Sequence, residues 1–313
     1  MPRLSTVGVC GVLVVLLALY RLASLQIASP TIPKSAATWL NLTLERNERL
    51  YQDAIRHRKI EIDGIGGIYE ASFPKPQDRK RYALWDWYVP AFSCPFPVYR
   101  VGVLGDGGKF ICGIERVLKS KPDCIVYSMG VEQKSSFEQE ILHMGRRCQV
   151  FGFDFSVSQW GPELRQDHAV KDRAHFFPYL IGDTDKHDAT PPQYTLRGIM
   201  KELDHDFIDI LKIDIEGAEF PTLKALIQSF KGEPLPFGQL SVEIHVIEGH
   251  LHIIDGFDRW WRMLEDAGLR PFWTELNMVY QNVFRVGPLL AEWSFMNIRG
   301  KHALLDDTLP DYP

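Results

Sequence analysis

Apolar positions fall into three regimes along the chain. From Val7 to Tyr20 they run almost unbroken, preceded by Arg3 and followed by Arg21, after which Leu22 to Ile27 resume the run. Counted to Tyr20, this is the length of a secretory signal; counted through Ile27, it reaches the ~20 residues that cross a bilayer, with Arg21 reaching to the headgroups. Two readings stay open: a signal cleaved near Ala23, Ser24, Ala28 or Ser29, or an uncleaved anchor. The resumption after Arg21 favours the anchor. From Ser29 to about Pro90 prolines punctuate a polar stretch. Within it Ala36 to Lys59 predicts a helix with Trp39, Leu40, Leu44 and Leu50 on one side. This is read as a stalk and pre-domain, with Arg56-His57-Arg58-Lys59 a solvated face.

Beyond residue 90 the period changes again. Cys124–Ser128, Gln149–Phe153, His175–Leu180, Ile208–Ile213 and Gln239–Ile244 are short apolar runs of strand type. Helical spacing separates them: Phe137, Ile141, Leu142 and Met144; Leu196, Ile199, Met200 and Leu203; Phe220 to Phe230; Phe257 to Ala267. Arg270 to Ile298 reads as three β-rich pieces. This alternation predicts an α/β fold, a parallel sheet with helices on both faces. The expected organisation is a signal anchor or signal peptide over 1–28, a stalk and pre-domain over 29–90, and one large domain over 91–313. Trp85, Trp87, Tyr88, Trp260 and Trp261 are candidates for an acceptor groove, though such residues more often pack a core.

Composition narrows the functions. Hydrophobic residues make up 45% and charged residues 24%, so a large core is possible. The net charge of −5 supplies no cationic excess to displace counterions from phosphates, so no nucleic-acid partner is expected. Asn41-Leu42-Thr43 is an N-glycosylation acceptor just past the apolar run. With Cys10 inside that run, Cys94, Cys112, Cys124 and Cys148 remain. Cys124 and Cys148 begin adjacent predicted parallel strands, ~4.8 Å apart, which predicts their pairing and leaves Cys94 with Cys112. Four buried free thiols are the alternative.

Right-handed crossovers bring strand-to-helix loops to one edge of such a sheet, where ligands bind. Four strand ends there carry chemistry. Ser128-Met129-Gly130-Val131-Glu132 offers a sharp turn at Gly130 and close ligand approach. Asp154, at the next strand end, is placed to accept ribose hydroxyls. The G-x-G-x-x-G fingerprint is missing and Glu132 would repel a pyrophosphate, which disfavours NAD and FAD; a phosphate-free cationic nucleoside, S-adenosylmethionine, fits better. Asp214, Glu216 and Glu219 crowd three carboxylates into one mouth, at a cost that demands a cation or hydrogen-bond donors. Glu243 and His245 share a face of the fourth strand, with His245 a candidate general base. His250 and His252 could complete a metal site with Glu243 or His245, but plain acid–base chemistry ranks ahead and no metal is expected. Gly105-Asp106-Gly107-Gly108 is a tight turn that could cover the donor pocket.

The segment Leu211-Lys212-Ile213-Asp214-Ile215-Glu216-Gly217-Ala218-Glu219 resembles the hallmark of FkbM-type methyltransferases. A wider pattern is similar to the anchored methyltransferase-like protein 24 type. It includes Arg100-Val101-Gly102, Gly105 to Lys109, Cys124 to Gly130, Ser136-Phe137-Glu138, Cys148 to Asp154, Glu243-Ile244-His245 and Glu275-Leu276-Asn277. The resemblance implies a Rossmann-like class I methyltransferase sheet of seven strands, the last antiparallel, with S-adenosylmethionine as donor. By the same match, Ser128 and Gly130 would serve the methionine part, Asp154 the ribose, Asp183 the adenine and Asp214 the methyl. Asp214, Glu216, Glu243 and His245 would form the catalytic mouth. The expected activity is O-methylation of a hydroxyl or carboxyl, on a small molecule or glycan. The setting would be a single-pass membrane protein with its body in the lumen of the Golgi or endoplasmic reticulum, or a secreted protein. A lumenal binding module without turnover and a metal-assisted O-methyltransferase are the alternatives.

Overall fold

The computed structural model describes residues 38–67, 84–120, 123–246, 254–285 and 287–309. The N-terminal apolar run, His250 and His252 lie outside them. Among the described residues no helix is long and apolar enough to cross a membrane. Residues Trp39–Pro313 group as one compact unit.

In chain order the elements are α1 (Trp39–Gly64), α2 (Leu84–Trp87), β1 (Val98–Val101), β2 (Lys109–Cys112), α3 (Ile114–Ser120), β3 (Cys124–Met129), α4 (Ser136–Met144), β4 (Cys148–Phe153), α5 (Pro162–Arg165), β5 (Ala174–Phe177), β6 (Leu180–Ile181), β7 (Gln193–Tyr194), α6 (Leu196–Glu202), β8 (Ile208–Ile213), α7 (Glu219–Ser229), β9 (Phe237–His245), α8 (Ile254–Asp266), β10 (Leu269–Leu276), α9 (Met278–Asn282) and β11 (Leu290–Asn297). Among the described residues a seven-stranded sheet runs in the order β10-β11-β9-β8-β3-β4-β5. All its pairings are parallel except those of β11, which is antiparallel to both β9 and β10. This is the mostly parallel sheet, antiparallel in its last strand, that was expected. The chain winds outward from β3 through β4 to β5, then returns past β3 to β8. The order therefore reverses between β3 and β8, the switch point where such sheets open a crevice.

Period-two alternation divides the central strands between two cores. Tyr127, Met129, Phe151, Phe153, Leu211 and Ile213 pack on one face with α7 and α8. Val126, Val150 and Ile210 pack on the other with α3 and α4. Tyr88, Trp260 and Trp261 are buried in the first core, with Trp85 and Trp87 packed against it, so these rings build the interior and not a groove.

Cys124 is the register partner of Cys148 in the β3–β4 ladder, and the two form a disulfide; Cys94 and Cys112 form another. Both are the expected pairs.

Helix α1 docks on the body. Its inward stripe is Leu40, Leu44, Asn47, Tyr51, Ile55 and Ile62; Trp39 and Leu50, expected on that side, face outward because a 3.6-residue period starting at Leu40 skips them. Arg58 also turns inward, unlike the solvated face expected of it. It donates two hydrogen bonds to Glu265 on α8, at 2.9 and 2.8 Å, and Tyr51 donates to the same carboxylate at 2.6 Å. Arg270 on β10 grips Glu48 in the same way. Two other expectations change. The run read as His175–Leu180 divides into β5 and β6. The middle β-rich piece near the end is α9, because Asn277 accepts a hydrogen bond from the Tyr280 N–H and starts a helix instead.

Candidate functional site

A cavity of about 510 Å³ opens at the carboxyl edge of the sheet, over the ends of β3, β4, β8 and β9. That is within the range of small-molecule sites. Gly130, Asp154, Asp214, Glu216, Glu243 and His245 all line it, so the sequence-predicted residues converge. Two do not. Ser128 is buried beneath the floor, where its hydroxyl bonds Glu138 and receives a 3.3 Å hydrogen bond from Lys212. Asp183 is exposed in the turn after β6 and is not part of the lining.

Gly130 has φ +80, and a Cβ there would lie 1.7 Å from the Asp214 carbonyl oxygen. Backbone packing alone requires this glycine. The Asp214 N–H donates to Met129 and the Gly130 N–H to Phe153, tying the ends of β3, β4 and β8 together. This is the sharp turn expected from sequence; close ligand approach, also expected, is not needed to explain the residue.

Asp154 ties the loop after β3 to β4. One carboxylate oxygen accepts from the Val131 and Glu132 N–H groups at 2.9 and 2.8 Å; the other accepts from the Ser156 N–H and hydroxyl at 2.7 Å each. Burial opposes its charge, but these bonds, led by the Ser156 hydroxyl, hold the carboxyl below its ordinary range. Beside it the Phe155 ring is 56% exposed at the rim of the cavity.

Across the cavity lies the acidic mouth. Lys109, at the start of β2, is buried and bridges Asp214, at 3.4 Å, and Glu292 on β11. Burial works against the Asp214 anion, yet Lys109, Lys212 and His245 outweigh it and hold the carboxyl down to about 2. Glu243 goes the other way. Burial, then the Asp214 and Glu292 charges, push it up to about 8, and Asn277 donates to it at 2.8 Å. Two adjacent carboxyls with pKa values forced apart share one negative charge at neutral pH. Glu216 is raised as well, by burial first and then, against the pull of His245, by its acidic neighbours.

His245 is fully buried at the end of β9. Its Nδ1 lies 3.2 Å from Glu219, which also accepts the His245 backbone N–H at 2.7 Å and the Gly217 N–H at 2.7 Å. Burial opposes protonation of the imidazole, but Glu219, Glu243 and Asp214 raise it to about 9. With only carboxylates facing it among the described residues, the ring is held protonated at neutral pH, and a cation among those carboxylates would oppose that proton.

Lys109, Lys134, Phe155, Asn277, Tyr280, Phe284 and Glu292 were not assigned to the site from sequence. One signal existed: Lys109 opens an otherwise apolar strand and Glu292 interrupts a mostly apolar one. Their convergence depends on β2 and β11 meeting at this edge.

The chain belongs to a family described as a methyltransferase domain, whose model matches residues 66–288. Among curated relatives it is similar to probable methyltransferase-like protein 24 of Rattus norvegicus, 32% identical over 142 residues. That segment is 43% of this chain and 36% of the rat protein. The human protein of the same name is 31% identical over 131 residues, 39% of this chain and 33% of that one. The match thus spans about a third of each relative's length. Solved structures with similarity include Methanococcus jannaschii fibrillarin, at TM-score 0.36 and 12% identity, covering 56% of this chain and 67% of that one. An O-methyltransferase family 2 protein from Planctomyces limnophilus has TM-score 0.32 and 10% identity, covering 56% and 51%.

Proposed function

We propose that this chain transfers the methyl group of S-adenosylmethionine to an acceptor oxygen on a small molecule or glycan. The observation that carries the reading is that Asp154 and Asp214, in a chain of a methyltransferase family, open onto one cavity at the switch point of the sheet. The residues fit such a donor. Phe155 and Ile181 give apolar surface for a purine, and Glu132 at the same rim is hostile to phosphate. The Asp154 oxygens already hold four donors, so a ribose contact there would replace a Ser156 bond; Glu132 offers a second carboxylate. When bound, the donor supplies an electrophilic methyl carbon on a cationic sulfur. The Asp214 charge stabilises that sulfonium, and Glu216, open to the cleft with a raised pKa, takes the acceptor's proton.

Titration with S-adenosylhomocysteine by calorimetry tests this. Saturable binding is expected, with Phe155→Ala weakening it about tenfold through lost stacking. No binding to the wild type overturns the donor assignment; unchanged affinity in the variant overturns the placement of the purine. Product mass then separates turnover from binding alone.

We further propose a secretory-pathway setting, supported by the paired cysteines and by the apolar N-terminal run. Asn41 lies in the first turn of α1 and donates to Asp307 at 3.0 Å, so a glycan there would replace that bond.

A further inference from the structure

His245 Nε2 is the least explained atom of the site. The ring is fully buried, and among the described residues this nitrogen has no hydrogen-bond partner. Buried polar atoms in native proteins almost always have one. It is not randomly aimed. Glu216 Oε2 lies 3.4 Å away and Asp214 Oδ1 3.9 Å. One ligand atom from each of these three residues falls within 4.8 Å of the others. Ligands about 2.1 Å from a shared ion stand roughly 3.0–3.4 Å apart in octahedral or tetrahedral arrangement. The 3.4 Å spacing from Nε2 to Glu216 already matches, and the 3.9 Å spacing to Asp214 exceeds it by about half an ångström.

Two of the ligands are also prepared from behind. Glu219 holds Nδ1, leaving Nε2 as the face turned to the carboxylates. A carboxylate behind a histidine in this way fixes the ring orientation of metal-ligating imidazoles. Lys109 occupies the Oδ2 side of Asp214 while Oδ1 faces His245. Glu216 has φ +54 and an exposed side chain at the open side of the mouth, the position through which an ion would enter.

We propose that Asp214, Glu216 and His245 form a site for a divalent first-row cation, one imidazole nitrogen and two carboxylates, with the remaining coordination positions open to the cleft. Carboxylates favour Mn²⁺, and the imidazole extends the choice toward zinc and iron. The site goes beyond the methyl-transfer reading, and only its use rests on that reading. An acceptor hydroxyl bound at the open position would lose its proton to bulk water at lower pH, and Glu216 would be a ligand instead of a proton acceptor. This reverses the order of preference that the sequence suggested, in which plain acid–base chemistry stood ahead of metal.

The experiment titrates Mn²⁺ into the EDTA-stripped full chain, following free Mn²⁺ by electron paramagnetic resonance. One ion per chain is expected, with nitrogen hyperfine coupling from the imidazole. Glu216→Gln, an exposed change that leaves the fold intact, is expected to weaken binding tenfold or more, and His245→Gln to remove the nitrogen coupling. No saturable binding up to millimolar Mn²⁺, a bound ion without nitrogen coupling, or unchanged affinity in Glu216→Gln overturns the site. Titration of S-adenosylhomocysteine in EDTA reports the donor pocket separately. Donor binding without Mn²⁺ binding sinks the ion site alone; Mn²⁺ binding without donor binding sinks the methyl-transfer reading alone.

Discussion

Gly130 and Asp154 show how single residues hold the donor side of the cleft. Any side chain at Gly130 meets the Asp214 carbonyl and a left-handed backbone. Gly130→Ala is therefore expected to cost on the order of 3 kcal/mol and to lower the thermal midpoint, even where no ligand is present. Asp154 has its folded pKa below its ordinary value, so it contributes stability that is present above about pH 4, the unfolded carboxyl value, and lost as the pH falls through the folded one. Thermal denaturation of Asp154→Asn should show a lower midpoint at neutral pH and a shallower acid limb than the wild type. An unchanged acid limb would remove Asp154 from the acid response. At this scale the sequence named Asp154, Asp214, Glu216 and Glu243, which line the cavity, and also Asp183, which does not. The steric demand at Gly130 and the protonation of His245 were not legible, because they depend on contacts made across the fold: the Asp214 carbonyl for one, and for the other the Glu219 and Asp214 charges, added to that of Glu243 two residues away.

Among the elements, α1 carries the clearest departure from the sequence pattern. A polar helix rich in Glu and Arg reads as a solvated stalk, yet Tyr51 and Arg58 converge on Glu265, and Glu48 meets Arg270. Arg58 and Glu265 are 10% and 7% exposed, so removing one partner leaves the other buried without compensation. Glu265→Ala is expected to destabilise the protein by about 3 kcal/mol, and hydrogen exchange should then quicken along α1 before it does in the sheet. Equal quickening everywhere would mean that α1 is not a separable layer. The strands were easier to read. Strand β8 occupies the residues expected of it because six consecutive buried positions between two polar turns allow little else. Helix α9 was missed because Met278, Val279 and Tyr280 have strand-like composition, and only the Asn277 cap reveals the helix.

For the whole molecule, the two disulfides close loops of 24 and 18 residues, the first across the β3–β4 start and the second joining β2 to the segment before β1. Peptide mass mapping without reduction is expected to recover Cys124 linked to Cys148 and Cys94 to Cys112; free thiols at all four positions would argue against an oxidising compartment. The sequence by itself determined the α/β alternation, the strand ends that bear Asp154, Asp214, Glu243 and His245, and the cysteine pairs. Periodicity and turn residues are local, and register between neighbouring parallel strands follows from them. Only the tertiary structure decided which charges meet. The switch point places β3 against β8, β11 returns antiparallel beside β9, and the β1–β2 hairpin delivers Lys109 beneath Asp214. Electrostatic energy depends on distances of a few ångströms between groups far apart in sequence, 105 residues for Lys109 and Asp214, and no pattern along the chain encodes those distances.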